Sequence, residues 1–407
     1  MIERPRGTRD FGPDEMEFRK KLEDLLRGKA EHFGYREIST PTFEHIELFL
    51  ERSGPSIVEE IYSFEDKGGR ELALRPEFTA SVMRMYSESL RGEPKPLKLF
   101  YFGPAFRYER PQSGRYREFW HFGTELIGAD TARADAENIA FAYKCMKDLG
   151  LDDITLKISN LQILEDYLKK YDLSQDEREE LYHLLDKEET EKILRKFDLD
   201  DEFFDLIDMD FEKISSFIGD SSSYEHLCEV IDHLSYYGIE REDYVIDLST
   251  VRGLDYYSSV VFEIDAEKLG AQKQICGGGD YNLGDIFDIE VSSKGFAIGF
   301  DRLYLALEKE NELFEKKREG CYIIPIGDEN ISYSYDVLSD LRKNDIKADI
   351  DLKERSIGKA LGFADKADFK YSVIIGEEEV ENEEVALKDM ESGDQKSVKK
   401  EKIIEAI

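Results

Sequence analysis

The stretch Phe106-Arg107-Tyr108-Glu109-Arg110-Pro111-Gln112-Ser113-Gly114-Arg115-Tyr116-Arg117-Glu118-Phe119 sets four arginines around a Pro/Gly loop. Ahead of it, Leu97–Phe102 is a β-type run, and Phe119–Leu126 is strand-like again, so the segment reads as a hairpin. Alternation puts Arg107 and Glu109 on one face of its first strand. Arginine offers bidentate donors to phosphate and a fixed cation where charge moves during phosphoryl or adenylyl chemistry. Phe119, on the return strand, is placed to stack on a base. The same residues also fit a surface hairpin whose arginines pair with Glu109 and Glu118.

Four other segments carry chemistry. In Thr250-Val251-Arg252-Gly253-Leu254-Asp255-Tyr256-Tyr257 a cation precedes a Gly turn and paired tyrosines. That suits a polar pocket, and equally a strand with core tyrosines. Cys276-Gly277-Gly278-Gly279-Asp280-Tyr281 lets backbone approach a ligand or make an unusual turn. It is not GxGxxG and no helix pattern follows, which argues against a Rossmann site; a loop without a ligand fits too. In Gly295-Phe296-Ala297-Ile298-Gly299-Phe300-Asp301-Arg302-Leu303 small residues allow close packing and Asp301 sits at a helix start. Leu74-Arg75-Pro76-Glu77-Phe78-Thr79 holds a carboxylate and a hydroxyl two residues apart. Such a pair can receive an α-ammonium group or cap the helix that follows. There is no P-loop, HExxH or Ser-His-Asp order.

The 407 residues suggest two or three domains. Phe18, Leu22, Leu25, Leu26, Ala30 and Phe33 recur at helical spacing between Pro13 and Gly34, predicting a helix over 14–33. Residues 35–46 read as a strand entering a Pro-containing turn. Residues 161–238 are helical and highly charged, an inserted module. Residues 244–264 and 295–300 return to β patterning, and the charged stretch 308–319 reads as a linker. The last 87 residues alternate strands and helices, which predicts a small α/β domain with a largely parallel sheet.

Net charge is −35, but Glu165–Asp243 alone holds 26 acidic and 9 basic residues. The Arg-rich stretch Tyr101–Glu125 has four arginines against three glutamates, so a polyanion can still bind there. Cys145, Cys228, Cys276 and Cys321 form no CxxC pair and have no histidines at zinc spacing; reduced, mostly buried thiols are expected. No apolar run reaches the roughly 18 residues of a membrane span and no signal-peptide pattern opens the chain, which predicts a cytoplasmic protein.

Taken in order, these segments resemble the histidyl-tRNA synthetase family of class II aminoacyl-tRNA synthetases, its archaeal members in particular, end to end. RGTRDF resembles the family's opening, 35–44 its motif 1, FRYERPQSGRYREF motif 2, and GFAIGFDRL motif 3. Motifs 2 and 3 alone specify class II; RGLDYY with LRPEFT specifies histidine. The resemblance implies an α+β fold with an antiparallel active-site sheet over 1–320. It also implies a helical insertion over about 162–242, an α/β anticodon-binding domain over 321–407, and a homodimer. The implied reaction is activation of L-histidine by ATP with Mg²⁺, then transfer to histidine tRNA.

The implied roles fall on particular residues. Arg107, Arg252 and Arg302 are catalytic. Arg107, Glu109, Arg115, Phe119 and Arg302 hold ATP, Phe119 by stacking. Glu77 and Thr79 take the α-ammonium group; Arg107, His121, Glu125, Arg252, Tyr256, Tyr257 and Tyr281 complete the histidine site. No protein metal ligand is assigned. Arg6, Arg9, Arg115, Arg117 and C-terminal lysines are the expected RNA phosphate contacts, few enough for a shallow salt dependence. The chain departs from the pattern in three places. His121 stands where the family usually has glutamine, with a pKa that would couple binding to pH. GGGDYN replaces GGGRYD, and Asp301 replaces a common glutamate. Two alternatives remain at this point: a silent paralogue such as the regulatory subunit of ATP phosphoribosyltransferase, and an RNA-binding module that keeps the fold. The former typically lacks the RGLDYY arginine and the anticodon domain, both present here. The full set Arg107, Arg252 and Arg302 argues against the latter.

Overall fold

The computed structural model describes residues 2–50, 59–110, 112, 114–187, 189–207, 209, 211–218, 221–251, 256–310 and 317–407. It divides into two compact units, Met1–Leu313 and Phe314–Ile407.

The N-terminal unit opens with helix α1 (Pro13–His32), started by a proline in its first turn and followed by Gly34 at φ +80°. Its buried stripe is Phe18, Leu22, Leu26 and Ala30; each of the three larger side chains contributes about 2 kcal/mol by burial. Leu25, at the edge of the predicted stripe, is exposed. The stretch expected as one strand is instead two short ones, β1 (Arg36–Glu37) and β2 (Phe43–His45), in different sheets. β2 joins β3 (Ser63–Glu65) and β4 (Glu71–Leu74) in a three-stranded sheet. Helix α2 (Thr79–Met85) follows.

The main sheet is built from β5 (Leu97–Phe106), β6 (Glu118–Ile127), β7 (Ile154–Asn160), β8 (Tyr244–Ile246), β9 (Tyr257–Ala266), β10 (Gln274–Tyr281) and β11 (Ser293–Gly299). Among the described residues its order is β1-β5-β6-β11-β10-β9-β7-β8. The strands from β5 to β7 pair antiparallel, as the resemblance implies, and only β1 and β8 join parallel at the edges.

Two details correct the sequence reading. The first hairpin strand stops at Phe106: the Tyr108 N–H donates to the Glu60 carbonyl (2.7 Å), which draws the chain off the ladder. Arg107 and Glu109 therefore lie beyond the strand rather than on one face of it. The glycine segment is a strand and not a loop, because its neighbours come too close for side chains. A Cβ on Gly278 would lie 2.2 Å from the Gly295 carbonyl oxygen.

Helix α3 (Ala132–Asp148), capped by Thr131, packs behind the sheet with most of its residues buried. The charged insert is helical as expected: α4 (Leu161–Leu168), α5 (Gln175–Asp186), α6 (Thr190–Lys196), α7 (Asp201–Ile207), α8 (Phe211–Ile218) and α9 (Ser222–Tyr236). Its apolar side chains, among them Leu181, Phe203 and Leu227, join the same core as α1, α3 and the back of the sheet. Helix α10 (Phe300–Glu310) continues from β11.

In the C-terminal unit β12 (Cys321–Pro325) pairs parallel with β13 (Ala348–Ile350) and β14 (Tyr371–Ile375), flanked by α11 (Ile331–Lys343) and α12 (Ile357–Lys366). Two further strands, β15 (Glu384–Asp389) and β16 (Gln395–Lys399), add antiparallel, so the sheet is mixed rather than largely parallel. The cysteines are free thiols, three buried and Cys228 half-buried.

Candidate active site

A cavity of about 480 Å³ lies on the front of the main sheet, within the size range of small-molecule sites. Every candidate catalytic, ATP-binding and histidine-binding residue named from the sequence lines it, except Arg252. Arg252, with Gly253, Leu254 and Asp255, lies outside the described residues, as do Pro111 and Ser113 of the hairpin loop.

One end is enclosed and built from carboxyl and phenol groups. Glu125, on β6, is 1% exposed. Tyr281 Oη donates to Glu125 Oε2 at 2.7 Å, and Tyr101 Oη lies 3.5 Å from Oε1. Burial pushes the Glu125 carboxyl up to about 8, against the hydrogen bonds from Tyr281 and Thr79, so it is largely neutral at pH 7. Tyr256 and Tyr257 stand beside Tyr281, with ring centroids 5.7 Å apart for Tyr256 and Tyr281. Burial raises the phenols of Tyr101, Tyr256 and Tyr281 well above their usual range, so all three stay protonated donors. The strands leave room for these groups by glycine. A Cβ on Gly295 would meet Glu125 Oε2 at 2.4 Å, and one on Gly123 would meet Tyr101 Oη at 2.3 Å.

Glu77 accepts the N–H groups of Thr79 and Ala80 at the start of α2, so the capping alternative is realised. Its carboxylate still lines the cavity beside Thr79. Burial raises its pKa, opposed by those two backbone donors and by Arg107.

The other end is cationic and aromatic. Arg107 donates through Nε to the Pro76 carbonyl (3.0 Å), lies 4.0 Å from Glu109 and stands 5.4 Å from the Phe119 ring centre. Arg115 pairs with Glu109. Arg302, on the first turn of α10, donates to the carbonyls of Gly114 (3.0 Å) and Gln274 (2.8 Å) and to Gln272 Oε1 (3.1 Å). Burial, then repulsion from Arg115, lowers its pKa. Asp301 does not cap its helix. Its carboxylate takes Arg9 (2.7 Å), Arg19 (2.8 Å) and the Trp120 N–H (2.8 Å), tying the N-terminal segment and α1 to β6 between Phe119 and His121.

His121 lies between the two ends, its ring 5.0 Å from Phe119. Burial, reinforced by Arg107, Arg302 and Arg75, pushes it down to about 3. This runs against the expected coupling of binding to pH through this residue, since a neutral imidazole is favoured. Arg9 and Arg117, expected as RNA phosphate contacts, are both engaged within the protein. Arg9 is held by Asp301 and stacks on Tyr116; Arg117 donates to the Glu109 carbonyl and stacks on Tyr108.

Sequence reasoning missed Tyr101, Gln272 and Gln274. Tyr101 had one signal, its alternation with Leu99 and Gly103 along β5. The glutamines, in polar surroundings, had none. Asp280 has a structural explanation: strand register sets Lys294 directly opposite it, and the two pair at 2.9 Å.

The histidyl-tRNA synthetase family profile matches residues 7–303 and an anticodon-binding-domain profile matches 320–407. The chain is similar to the histidine–tRNA ligase of Archaeoglobus fulgidus, 44% identical over 99% of this chain and 98% of that one. It is 43% identical to that of Methanoregula boonei over 98% of this chain and 96% of that one. The crystal structure of apo S. aureus histidyl-tRNA synthetase superposes with a TM-score of 0.76 at 31% identity, covering 100% of this chain and 99% of that one. With its sheet, its cavity and both profiles in agreement, the chain belongs to the histidyl-tRNA synthetase family.

Proposed function

We propose that this chain is a histidine–tRNA ligase that activates L-histidine with ATP and transfers the histidyl group to the 3′ adenosine of histidine tRNA. The observation that carries the reading is the single cavity. It puts the Glu77/Glu125/tyrosine end and the Arg107/Arg302 end in line on one sheet face.

In this reading the histidine carboxylate oxygen attacks the α-phosphorus. An O–P bond forms to the acyl group and the bond to the β-phosphate oxygen breaks, releasing pyrophosphate. A ribose hydroxyl of the tRNA end then attacks the acyl carbon and AMP leaves. No covalent enzyme intermediate is needed; positioning and fixed positive charge supply the rate. Arg107 and Arg252 flank the α-phosphate, Arg302 takes the nucleotide side, Phe119 stacks on adenine, and Glu109 and Arg115 complete the ATP site. Glu77 and Thr79 receive the α-ammonium group; Glu125, Tyr256, Tyr257, Tyr281 and His121 surround the imidazole. A competitor lacking the imidazole's hydrogen-bonding atoms leaves these groups unpaired, a costly mismatch.

Mg²⁺ accompanies the β- and γ-phosphates as part of the substrate. Among the carboxylates lining the cavity, Glu109 is paired with Arg115 and Asp265 with Lys157 and Lys273, so a bound Mg²⁺ would take ligands chiefly from the substrate phosphates and would offset their charge. A homodimer and a cytoplasmic location belong to the same reading. The exposed pair Phe43 and Phe64 on the small sheet suits a contact with a second copy. No helix among the described residues is long and apolar enough to cross a membrane. The domain reading places catalysis in 1–320, the insertion at about 162–242 and anticodon recognition in 321–407. That last segment carries 13 basic and 21 acidic residues, so tRNA affinity should fall with salt by no more than about eight released counterions.

Histidine-dependent ATP–pyrophosphate exchange, run beside charging of histidine tRNA, tests the reading. Both activities are expected. Folded protein that exchanges with no amino acid would overturn it.

A further inference from the structure

Behind the histidine end of the cavity, on the opposite face of the sheet, four ionisable side chains from four elements meet. Lys294 of β11 is 1% exposed and pairs with Asp135 of α3 and, at 2.9 Å, with Asp280 of β10. His226 of α9, in the helical insert, closes the group with its Nε2 2.8 Å from Asp135 Oδ2. The ligand atoms of Asp135, His226 and Asp280 lie within 4.8 Å of one another, the spacing of a metal site. The buried Lys294 ammonium already contacts both carboxylates and supplies the charge a cation would bring, so the cluster reads as an ion network instead.

Its place in the fold gives it a consequence. Strand residues alternate faces. Asp280 points back into the cluster, whereas its neighbour Tyr281 points forward and bonds Glu125. On β11, Lys294 points back, whereas its neighbour Gly295 leaves the space that Glu125 occupies. Asn138, also on α3, donates to the Gly295 carbonyl at 3.2 Å. The two strands that shape the imidazole end are thus anchored from behind by charges whose outermost member belongs to the insert.

We propose that His226 is a positioning residue for amino-acid recognition. Through Asp135, Lys294 and Asp280 it couples docking of the helical insert to the placement of Tyr281 and Glu125. The inference rests on the functional reading above. Burial, then the neighbouring Asp135, pushes the Asp280 carboxyl up to about 8, so the cluster holds by hydrogen bonds as well as by charge. When such a network loses one member it leaves a buried donor, acceptor or charge unmatched, and the strands bearing the rest shift to relieve it. Selectivity follows from location: the cluster touches the strands behind Tyr281 and Glu125, and none of its members contacts Arg107, Phe119 or Arg302.

The test measures KM for histidine and for ATP, kcat in pyrophosphate exchange, and Tm, on the full chain. His226→Leu keeps bulk and removes the hydrogen bond to Asp135. It is expected to raise the histidine KM about five- to tenfold while the ATP KM and kcat stay within twofold. His226→Gln keeps a donor and is expected to restore the histidine KM to within twofold. Asp280→Asn, nearly isosteric, is the second variant should the leucine form not fold, and is expected to give the same selective rise. A histidine KM within twofold of wild type in His226→Leu or Asp280→Asn overturns the proposal. So does a parallel rise in both KM values, or a glutamine variant no better than leucine. If the wild-type chain itself shows no histidine-dependent exchange, the functional reading falls and this inference falls with it.

Discussion

Glu125 and Tyr281 are enclosed, bonded to each other and fixed by strands on both sides, whereas Arg302 and Arg115 at the far end of the same cavity, the end proposed for the nucleotide, are held by other protein groups. The end proposed for the imidazole is shaped by contacts within the protein itself. Its carboxyl and phenol groups converge on one space, with Tyr281 bonded to Glu125, and its shape comes from two glycines on adjacent strands. The nucleotide end instead stores its charges in exchangeable contacts: Arg302 on two carbonyls and a glutamine, Arg115 on Glu109. A preformed pocket discriminates through the cost of leaving buried groups unpaired. A self-paired cationic wall discriminates little, but delivers charge where the phosphates are when the reaction occurs.

The largest expected effect tests that division at the cationic end. Arg302→Ala should lower kcat for pyrophosphate exchange by about 10²–10³, the usual cost of a lost charge-stabilising donor, with the histidine KM nearly unmoved. Steady-state kinetics with each substrate varied separately gives the split. A histidine KM that rises with the loss of rate would mean the two ends are not separable.

The next effect belongs to the preformed end. Glu125→Gln should raise the histidine KM about 10- to 100-fold and leave the ATP KM within twofold, since one buried hydrogen-bonding group is worth roughly 1.5–3 kcal/mol. The pH dependence carries a sign. Glu125 titrates near pH 8, while Glu77, proposed to meet the substrate ammonium, accepts two backbone N–H groups that oppose the upward push of burial on its carboxyl. Ionising Glu125 puts a negative charge faced by the Tyr281 and Tyr101 hydroxyls into an enclosed pocket, so kcat/KM for histidine should fall as pH rises through 8. Glu125→Gln should lose that limb and keep only the one due to the substrate amine. A wild-type profile that climbs through pH 8 would reverse the assignment of charge between the two glutamates.

A smaller effect comes from Glu109, which anchors the exchangeable wall. Glu109→Gln should raise the ATP KM about three- to tenfold through a lost charge-assisted hydrogen bond, with the histidine KM unchanged. An ATP KM that falls instead would show Glu109 to be a competitor for Arg115 and no nucleotide ligand.

The cationic end was far easier to read from the sequence than the enclosed one. Arginine, proline and glycine at hairpin spacing point toward phosphate chemistry, though a surface hairpin fits them too, and the separate roles of Arg107, Arg115 and Arg302 came from the family resemblance. At the other end the shape is set by glycines and by register. Three consecutive glycines have low strand propensity, yet Gln274–Tyr281 is a strand because the adjacent backbone approaches to 2.2 Å of a would-be Cβ. That is a tertiary fact no local pattern carries. The same limit hid Lys294, whose meaning depends on lying opposite Asp280, and β15 and β16, whose antiparallel addition cannot be told from alternation alone. Helix α1 was legible because its stripe faces one core; the short strands β1 and β2 were not, because a single Pro-containing stretch feeds two sheets.

The smallest expected effect concerns His121, at the boundary of the two ends. A histidine here invites the view that the site titrates near neutrality. Its surroundings argue the other way: the residue is half-buried and three guanidinium groups oppose a further positive charge, which pushes the imidazole down to about 3. A neutral imidazole offers one donor and one acceptor, and a glutamine amide offers both as well. His121→Gln should therefore change the histidine KM by less than about threefold, a loss within the roughly 0.5–1.5 kcal/mol of one neutral hydrogen bond. Its kcat/KM profile between pH 5.5 and 7.5 should superimpose on wild type, with the substrate's own imidazole titrating in both. A limb near 6.5 present in wild type and absent from the variant would show that His121 takes up a proton on the pathway. The cationic wall would then have to open enough, before histidine binds, to relieve the repulsion that holds this ring neutral.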